Sequence, residues 1–137
     1  MRCAFGKEEV KAMYEVTVNA HFDSAHYLRE YHGRCENLHG HRWQVEASVR
    51  SSQLNQIGLA LDFTELKKAL RETVAQFDHV CLNDLPEFSS INPSSENIAR
   101  VIFDKVTNRL HEQELDFTVF SVKVYESPDA WVTYYDD

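Results

Sequence analysis

A pair of histidines separated by one residue is the first group in the sequence that could bind a metal. His39 and His41 lie in a segment that alternates between polar and apolar residues, so both imidazoles point to one face of a predicted strand. Trp43 continues that face, which makes it the apolar one. In the preceding alternating segment, the even-numbered residues run through Phe22 to His26. Without a bulge, this strand places a third imidazole on the buried side.

These three histidines allow two interpretations. Three imidazoles with an open fourth position form the ligand set of a catalytic zinc site. The alternative is structural, since a histidine on a core face is more often a hydrogen-bonded core residue. The other histidines do not fit the pattern: His21 falls on the polar face, and His32 and His111 are expected at the surface.

Cys35 precedes His39 by four residues, in a predicted loop over residues 27–38 that is long for a hairpin. Such loops are often functional. A free thiol has a pKa near 8.5, and a nearby Zn²⁺ or imidazolium favours the thiolate. Cys35 is then either a base or nucleophile beside the metal, or a fourth zinc ligand that closes the site. The spacing leaves both possibilities open.

Two carboxylates complete the set of groups that could do chemistry. Asp78 directly precedes His79, and such a pair can fix an imidazole tautomer for proton relay. The alternative is a cationic histidine at a helix C-terminus. Glu126 shares the alternation of Val122 and Val124 and also of Phe120, which predicts a carboxylate at the end of an apolar face. Its partner is either a ring with two adjacent N–H donors, such as a pterin or guanine, or a basic residue.

The elements that position these groups follow from periodicity. Alternation predicts strands over residues 14–26, 39–50, about 116–126 and 130–135. Asp62, with Glu65 three residues on, resembles a capping box, and one helical face follows it in Phe63, Leu66, Leu70, Val74 and Phe77. A second helix starts near Ser94 or Ser95. The order β-β-α-α-β-β predicts an α+β domain with an antiparallel four-stranded sheet and both helices on one face.

Composition limits the function classes. The chain has 137 residues, about one domain, and 14 Lys+Arg against 22 Asp+Glu give a net charge of −8. That charge argues against a nucleic-acid partner. No apolar run is long enough for a membrane span, and the first residues lack the apolar core of a signal peptide. We therefore expect a cytoplasmic protein with no membrane partner. The three cysteines do not make a disulfide framework.

Taken together, the motifs resemble the 6-pyruvoyl-tetrahydropterin synthase family. They are Phe22 to His26, Cys35 to His41, Leu61-Asp62-Phe63, Asp78-His79, Asn92 to Asn97 and Glu126-Ser127-Pro128. They are in the right order over about residues 13–135. We therefore expect residues 13–137 to form one catalytic domain and residues 1–12 to be an extension without a match. The short spacing from Cys35 to His39 resembles the family's 6-carboxy-tetrahydropterin branch, which serves queuosine biosynthesis.

The resemblance implies a tunnelling fold (T-fold) and a homo-oligomer, commonly a hexamer, with interfacial active sites. It implies a pterin substrate, 7,8-dihydroneopterin triphosphate, cleaved to 6-carboxy-5,6,7,8-tetrahydropterin, acetaldehyde and triphosphate. It implies that His26, His39 and His41 bind zinc and that Cys35 abstracts a proton. It further implies that Asp78 and His79 form a proton relay and that Glu126 anchors the pterin ring. Ser95 and Glu96 belong to a motif near the pocket. Alternatives are the pyruvoyl-type triphosphate lyase and a non-catalytic zinc- or pterin-binding protein. Arg29, Arg34 and Arg42 flank the site and are therefore candidates for binding the triphosphate.

Overall fold

The structure is a computed structural model that describes residues 12–31, 33 and 37–136. Cys35 and Arg34 lie outside these residues, as does all but the last residue of the expected extension 1–12. His32 also lies outside them. The expectations for these positions therefore stay predictions.

Four strands form one antiparallel sheet in the order of the chain: β1 Tyr14–His26, β2 His39–Ser51, β3 Ser121–Ser127 and β4 Ala130–Tyr135. β1 matches its predicted bounds, and β2 extends one residue beyond its predicted end, to Ser51. β3 begins at Ser121 and not near 116, although Phe120 N–H already donates to the Ser48 carbonyl at 2.7 Å. The β1–β2 register sets His26 opposite His39 and Ser24 opposite His41, so the three histidines lie on one face at alternate residue pairs of the two strands.

Two helices pack on one face of the sheet: α1 Phe63–Val74 and α2 Ser95–Glu112. Asp62 caps α1 by accepting from the Thr64 backbone N–H at 2.9 Å and from its hydroxyl at 2.8 Å. The predicted capping box is wrong, because the Glu65 carboxylate accepts from Gln113 of α2 at 2.9 Å. Single 3₁₀ turns link the helices at Ala75–Phe77, Leu82–Asp84 and Pro86–Phe88.

The core lies between the sheet and the two helices. It contains the predicted inward residues of β2 and β3 and the apolar stripes of both helices, among them Trp43, Val45, Leu66, Leu70, Ile98, Ile102, Val122 and Val124. Two inward predictions are wrong. Phe63 is 61% exposed because it begins α1 beyond the edge of the core. Phe120 lies outside the core, where the Arg50 guanidinium is 3.7 Å from its ring centroid.

The predicted α+β class, element order and placement of both helices on one sheet face are confirmed. Within the described residues, no helix is both long and apolar enough to cross a membrane.

Candidate metal centre and active site

The three predicted histidines converge at the end of the β1–β2 pair. His26, His39 and His41 each offer one ligand atom, and these atoms lie within 4.8 Å of one another. The ring centroids of His26 and His39 are 4.5 Å apart, and those of His39 and His41 are 4.8 Å apart. Strand register explains the cluster, because opposite and alternate positions on one face must lie close together.

Backbone carbonyls orient two of the rings. His26 Nδ1 donates to the Pro93 carbonyl at 2.7 Å, and His39 Nδ1 donates to the Asn37 carbonyl at 2.6 Å. A carbonyl can only accept, so these contacts place the proton on Nδ1 and leave the Nε2 lone pair available. Hydrogen bonds of this kind fix the tautomer of metal-binding histidines in general.

The unpartnered atoms of this cluster are the ones that a metal would use. His26 Nε2 and His41 Nε2 are buried, and neither has a hydrogen-bond partner among the described residues. A buried polar atom without a partner is costly, which points to a group that binds both nitrogens. Burial also lowers the pKa of the His26 and His41 imidazoles, which favours the neutral form that a metal requires. The residues present therefore fit a metal ion.

Trp43 forms the floor of the cluster. Its ring centroid lies 4.8 Å from that of His26 and 5.3 Å from that of His41, and the residue is fully buried. The Phe22 ring stacks against Trp43 with centroids 6.0 Å apart. This aromatic packing restricts the rotamers of the two histidines and keeps water away from one side of the site.

Glu126 faces the same opening from β3. Its carboxylate oxygens lie 3.6 Å from His26 Nε2 and 3.9 Å from His41 Nε2, and the side chain is 37% exposed. A register irregularity between Tyr125 and Ser127 accompanies this position. Within the described part of the chain Glu126 forms no ion pair with a lysine or arginine. The basic partner considered for this carboxylate is therefore not found among the described residues.

Asp78 and His79 form a second cluster with Asp23 at the free edge of β1. His79 Nδ1 lies 2.9 Å from the Asp78 carboxylate, and the Asp23 backbone N–H donates to that carboxylate at 2.8 Å. This N–H donor holds the pKa of Asp78 below its ordinary value. The His79 backbone N–H donates to the Asp23 carbonyl at 2.6 Å, with His79 in the left-handed region at φ 57°. Among the described residues, no hydrogen bond or ion pair joins this cluster to the three histidines.

The start of α2 is tied to the metal site through the backbone. Pro93, whose carbonyl orients His26, is followed by Ser94, which caps α2 by accepting from Asn97 N–H at 3.2 Å. Ser95 and Glu96 then form the first turn of the helix, with Ser95 half-buried and Glu96 exposed. They follow Pro93, the residue that contacts His26, by two and three positions, and neither forms a hydrogen bond to His26 among the described side chains.

Two asparagines that the sequence did not reveal as important hold the chain just after His26. Asn83 accepts from the Tyr27 N–H and donates to the Tyr27 carbonyl, both at 3.0 Å. The Asn92 side chain likewise accepts from the Arg29 N–H at 2.9 Å and donates to the Arg29 carbonyl at 3.1 Å. Each side-chain amide thus forms the pair of hydrogen bonds that the backbone of a neighbouring strand would otherwise form. We call Asn83 and Asn92 the amide clasps. Alternation carries no signal for them, although Asn92 stood within a family motif.

The structure also decides what the flanking arginines do. The Arg29 guanidinium donates to the carbonyls of Ile91 at 3.1 Å and Asn83 at 3.4 Å. Arg42 forms a two-pronged pair with Asp23 at 3.0 and 3.1 Å. Both cations are therefore engaged within this chain, and neither is free to bind an external anion without losing these partners.

Comparison with known proteins identifies the family. The family model described as 6-pyruvoyl tetrahydropterin synthase matches residues 15–137. The chain belongs to this family. A 6-carboxy-5,6,7,8-tetrahydropterin synthase of Bacillus subtilis is 32% identical over 126 residues, covering 88% of this chain and 84% of the relative. A 6-pyruvoyl tetrahydrobiopterin synthase of Dictyostelium discoideum is 34% identical over 108 residues, covering 77% of this chain and 76% of the relative.

The fold of the family is also shared. A 6-pyruvoyl tetrahydropterin synthase structure from Caenorhabditis elegans superposes with a TM-score of 0.81 at 24% identity, covering 92% of this chain and 97% of that one. The resemblance drawn from the motifs is therefore confirmed, together with the T-fold and the prediction of an enzyme. Members named for either product match at similar identity, so overall identity does not separate the two branches.

Proposed function

We propose that this family member is a zinc-dependent carbon–carbon lyase. Its substrate is 7,8-dihydroneopterin triphosphate, and with one water it gives 6-carboxy-5,6,7,8-tetrahydropterin, acetaldehyde and triphosphate. The reaction belongs to queuosine biosynthesis. The observation that carries the proposal is the convergence of three imidazoles, with two unpartnered buried Nε2 atoms, beside a carboxylate in a chain of this family.

His26, His39 and His41 would hold the zinc ion through Nε2. Three neutral nitrogen ligands leave an open position, as in catalytic zinc sites. When bound, zinc polarises oxygen atoms of the substrate side chain and makes the neighbouring protons more acidic. The carbonyls of Pro93 and Asn37 keep the two rings in the required tautomer and orientation.

Proton transfer falls to residues outside the metal cluster. Cys35, four residues before His39, is the proposed proton-abstracting base. His79 is the proposed partner on the other side of the substrate: its Nδ1 proton is held by Asp78, so Nε2 presents a lone pair to solvent on a side chain that is 79% exposed. The lowered pKa of Asp78 keeps that carboxylate charged, which stabilises a protonated His79 during transfer.

The position of Asp78 and His79 favours an active site shared between chains. They lie at the free edge of β1 and group with the side chain of Asp23, which belongs to the polar face of that strand, whereas His26 points to the buried face. Side chains on opposite faces of one strand do not meet across a substrate. We therefore propose a homo-oligomer, a hexamer by family resemblance, in which one chain presents Asp78 and His79 to the metal site of another.

Glu126 is the proposed anchor for the pterin ring. A carboxylate can accept from two adjacent N–H groups of a 2-amino-4-oxo ring, and Glu126 stands beside the histidines with no competing basic partner among the described residues. Ser95 and Glu96, in the turn of α2 that follows Pro93, complete the proposed substrate pocket. The proposed compartment is the cytoplasm.

Product analysis tests the reaction. The purified protein with bound zinc is incubated with 7,8-dihydroneopterin triphosphate, and acetaldehyde and triphosphate are both measured. Equal amounts of the two products are expected. Release of triphosphate without acetaldehyde would instead indicate the pyruvoyl-type reaction. Absence of both products would indicate a non-catalytic binding protein. Cys35→Ala should abolish both products while zinc stays bound.

A further inference from the structure

A cavity between α1 and the free edge of β1 is lined by two cationic side chains. Its volume is about 420 Å³, and Lys67 and Arg71 of α1 line one wall. Asn19 and His21 of β1 supply polar side chains on the opposite wall, and Asp78 stands at the same cavity. None of the metal ligands contributes to it.

The two cations have no carboxylate partner among the described residues. Four other described cations pair with carboxylates: Arg42 with Asp23, Arg50 with Glu15, Lys105 with Glu87 and Arg109 with Glu72. Lys68, Arg100 and Lys123 also form no ion pair within the described part of the chain, but unlike Lys67 and Arg71 they do not line this cavity. Lys67 and Arg71 form no ion pair with any described residue. They are four residues apart on one helix, so their side chains are neighbours and repel each other weakly. Arg71, in the last turn, also favours the helix dipole, which does not apply to Lys67 in the middle of α1.

Asp78, which also lines the cavity, forms no ion pair with either cation. One of its oxygens accepts from the Asp23 N–H at 2.8 Å, and the other lies 2.9 Å from His79 Nδ1. Its carboxylate is therefore directed to the relay. In a chain with net charge −8, two cations against one carboxylate make the lining of this cavity locally positive, next to a proposed catalytic pair.

We propose that Lys67 and Arg71 bind the triphosphate group of the substrate. This inference rests on the proposed function, since only a phosphorylated substrate needs such a site. It fits the chemistry, because arginine binds phosphate oxygens in a two-pronged way and lysine acts as a point charge. The triphosphate would then lie next to Asp78 and His79, on the chain that presents the relay, while another chain holds the pterin. Arg29 and Arg42, which the sequence offered for this role, are engaged elsewhere.

Titration of inorganic tripolyphosphate into the zinc-loaded full chain, with the heat of binding measured by calorimetry, tests the site directly. Lys67→Ala and Arg71→Ala should each weaken binding roughly tenfold, as expected for the loss of one charge-assisted contact. Lys68→Ala is the matched control, since Lys68 neighbours Lys67 on α1 but does not line the cavity. Its binding should change less than about twofold, and Lys67→Arg should restore most of the affinity.

Steady-state kinetics with 7,8-dihydroneopterin triphosphate provide the second arm. Both alanine variants should raise KM roughly tenfold and change kcat less than about threefold, because they remove binding and not proton transfer. Unchanged tripolyphosphate affinity in these variants would overturn the proposal, as would an equal loss in Lys68→Ala. If the alanine variants bound tripolyphosphate more weakly but kept an unchanged KM, the cavity would bind free polyphosphate only. That result would overturn its role in substrate binding. If the wild type released no acetaldehyde, the lyase reaction would fail, while the calorimetric arm would still judge the anion site.

Discussion

Removing one amide clasp should destabilise the chain next to the metal site. Asn83 is only 7% exposed, and its side chain makes two hydrogen bonds of 3.0 Å to the backbone of Tyr27. Each such bond contributes about 1 kcal/mol net, and unpaired backbone groups left behind add to the cost. Asn83→Ala should therefore lower the free energy of unfolding by about 2–3 kcal/mol.

Asn55 offers a matched control for this prediction. Its side chain also accepts two backbone hydrogen bonds of 3.0 Å, from Ile57 and Leu59, but both are exposed to solvent. Water can replace an exposed partner, so Asn55→Ala should cost less than about 1 kcal/mol. Urea unfolding at one protein concentration measures both values.

The same variants link stability to the site. Tyr27 directly follows His26, so Asn83→Ala should also weaken zinc binding by up to about tenfold, whereas Asn55→Ala should not. A loss in Asn83→Ala below about 0.5 kcal/mol, or equal losses in the two variants, would refute the reasoning that buried amide contacts hold this segment.

Three further outcomes are expected. His26→Ala should weaken zinc binding at least about 100-fold in a chelator competition, and His111→Ala, at an exposed position, should leave it unchanged; retained affinity in His26→Ala would contradict the ligand assignment. Asp78→Asn should lower kcat by about 100-fold or more with zinc retained, because a neutral amide cannot stabilise protonated His79; activity near that of the wild type would remove the relay. A hydrogen bond from Lys105 lowers the pKa of Glu87 from its ordinary 4.5, so this stabilisation is present above that pH and is lost as pH falls through the lowered value. Glu87→Gln should therefore cost up to about 1 kcal/mol near pH 6 and nothing near pH 2 in thermal unfolding, and a difference that persisted in acid would contradict it.

Alternation was sufficient to predict the positions of the histidines. Two strands with clean periodicity and no bulge placed His26, His39 and His41 on one face, and parity requires that result once the strands pair. Glu126 followed from the same rule, although Phe120 did not, because it lies before the first residue of β3 and escapes the alternation.

Contacts between distant segments could not be predicted in this way. The clasp from Asn83 to Tyr27 joins residues 56 positions apart, and the Arg29 guanidinium reaches carbonyls more than 50 positions away. Periodicity describes one element at a time, and such contacts depend on how loops cross the end of the sheet. The hydrogen bonds of the Arg29 guanidinium and the lack of a described ion pair for Lys67 likewise depend on the folded chain.

X-ray absorption at the zinc edge of the purified protein tests the central claim, an open three-histidine metal centre with Cys35 as a base. We expect nitrogen and oxygen ligands alone, at about 2.0–2.1 Å, with no sulfur in the coordination shell. A zinc–sulfur distance near about 2.3 Å would make Cys35 a ligand and contradict its role as the base. A protein that purified without zinc and failed to bind it would contradict the metal centre itself.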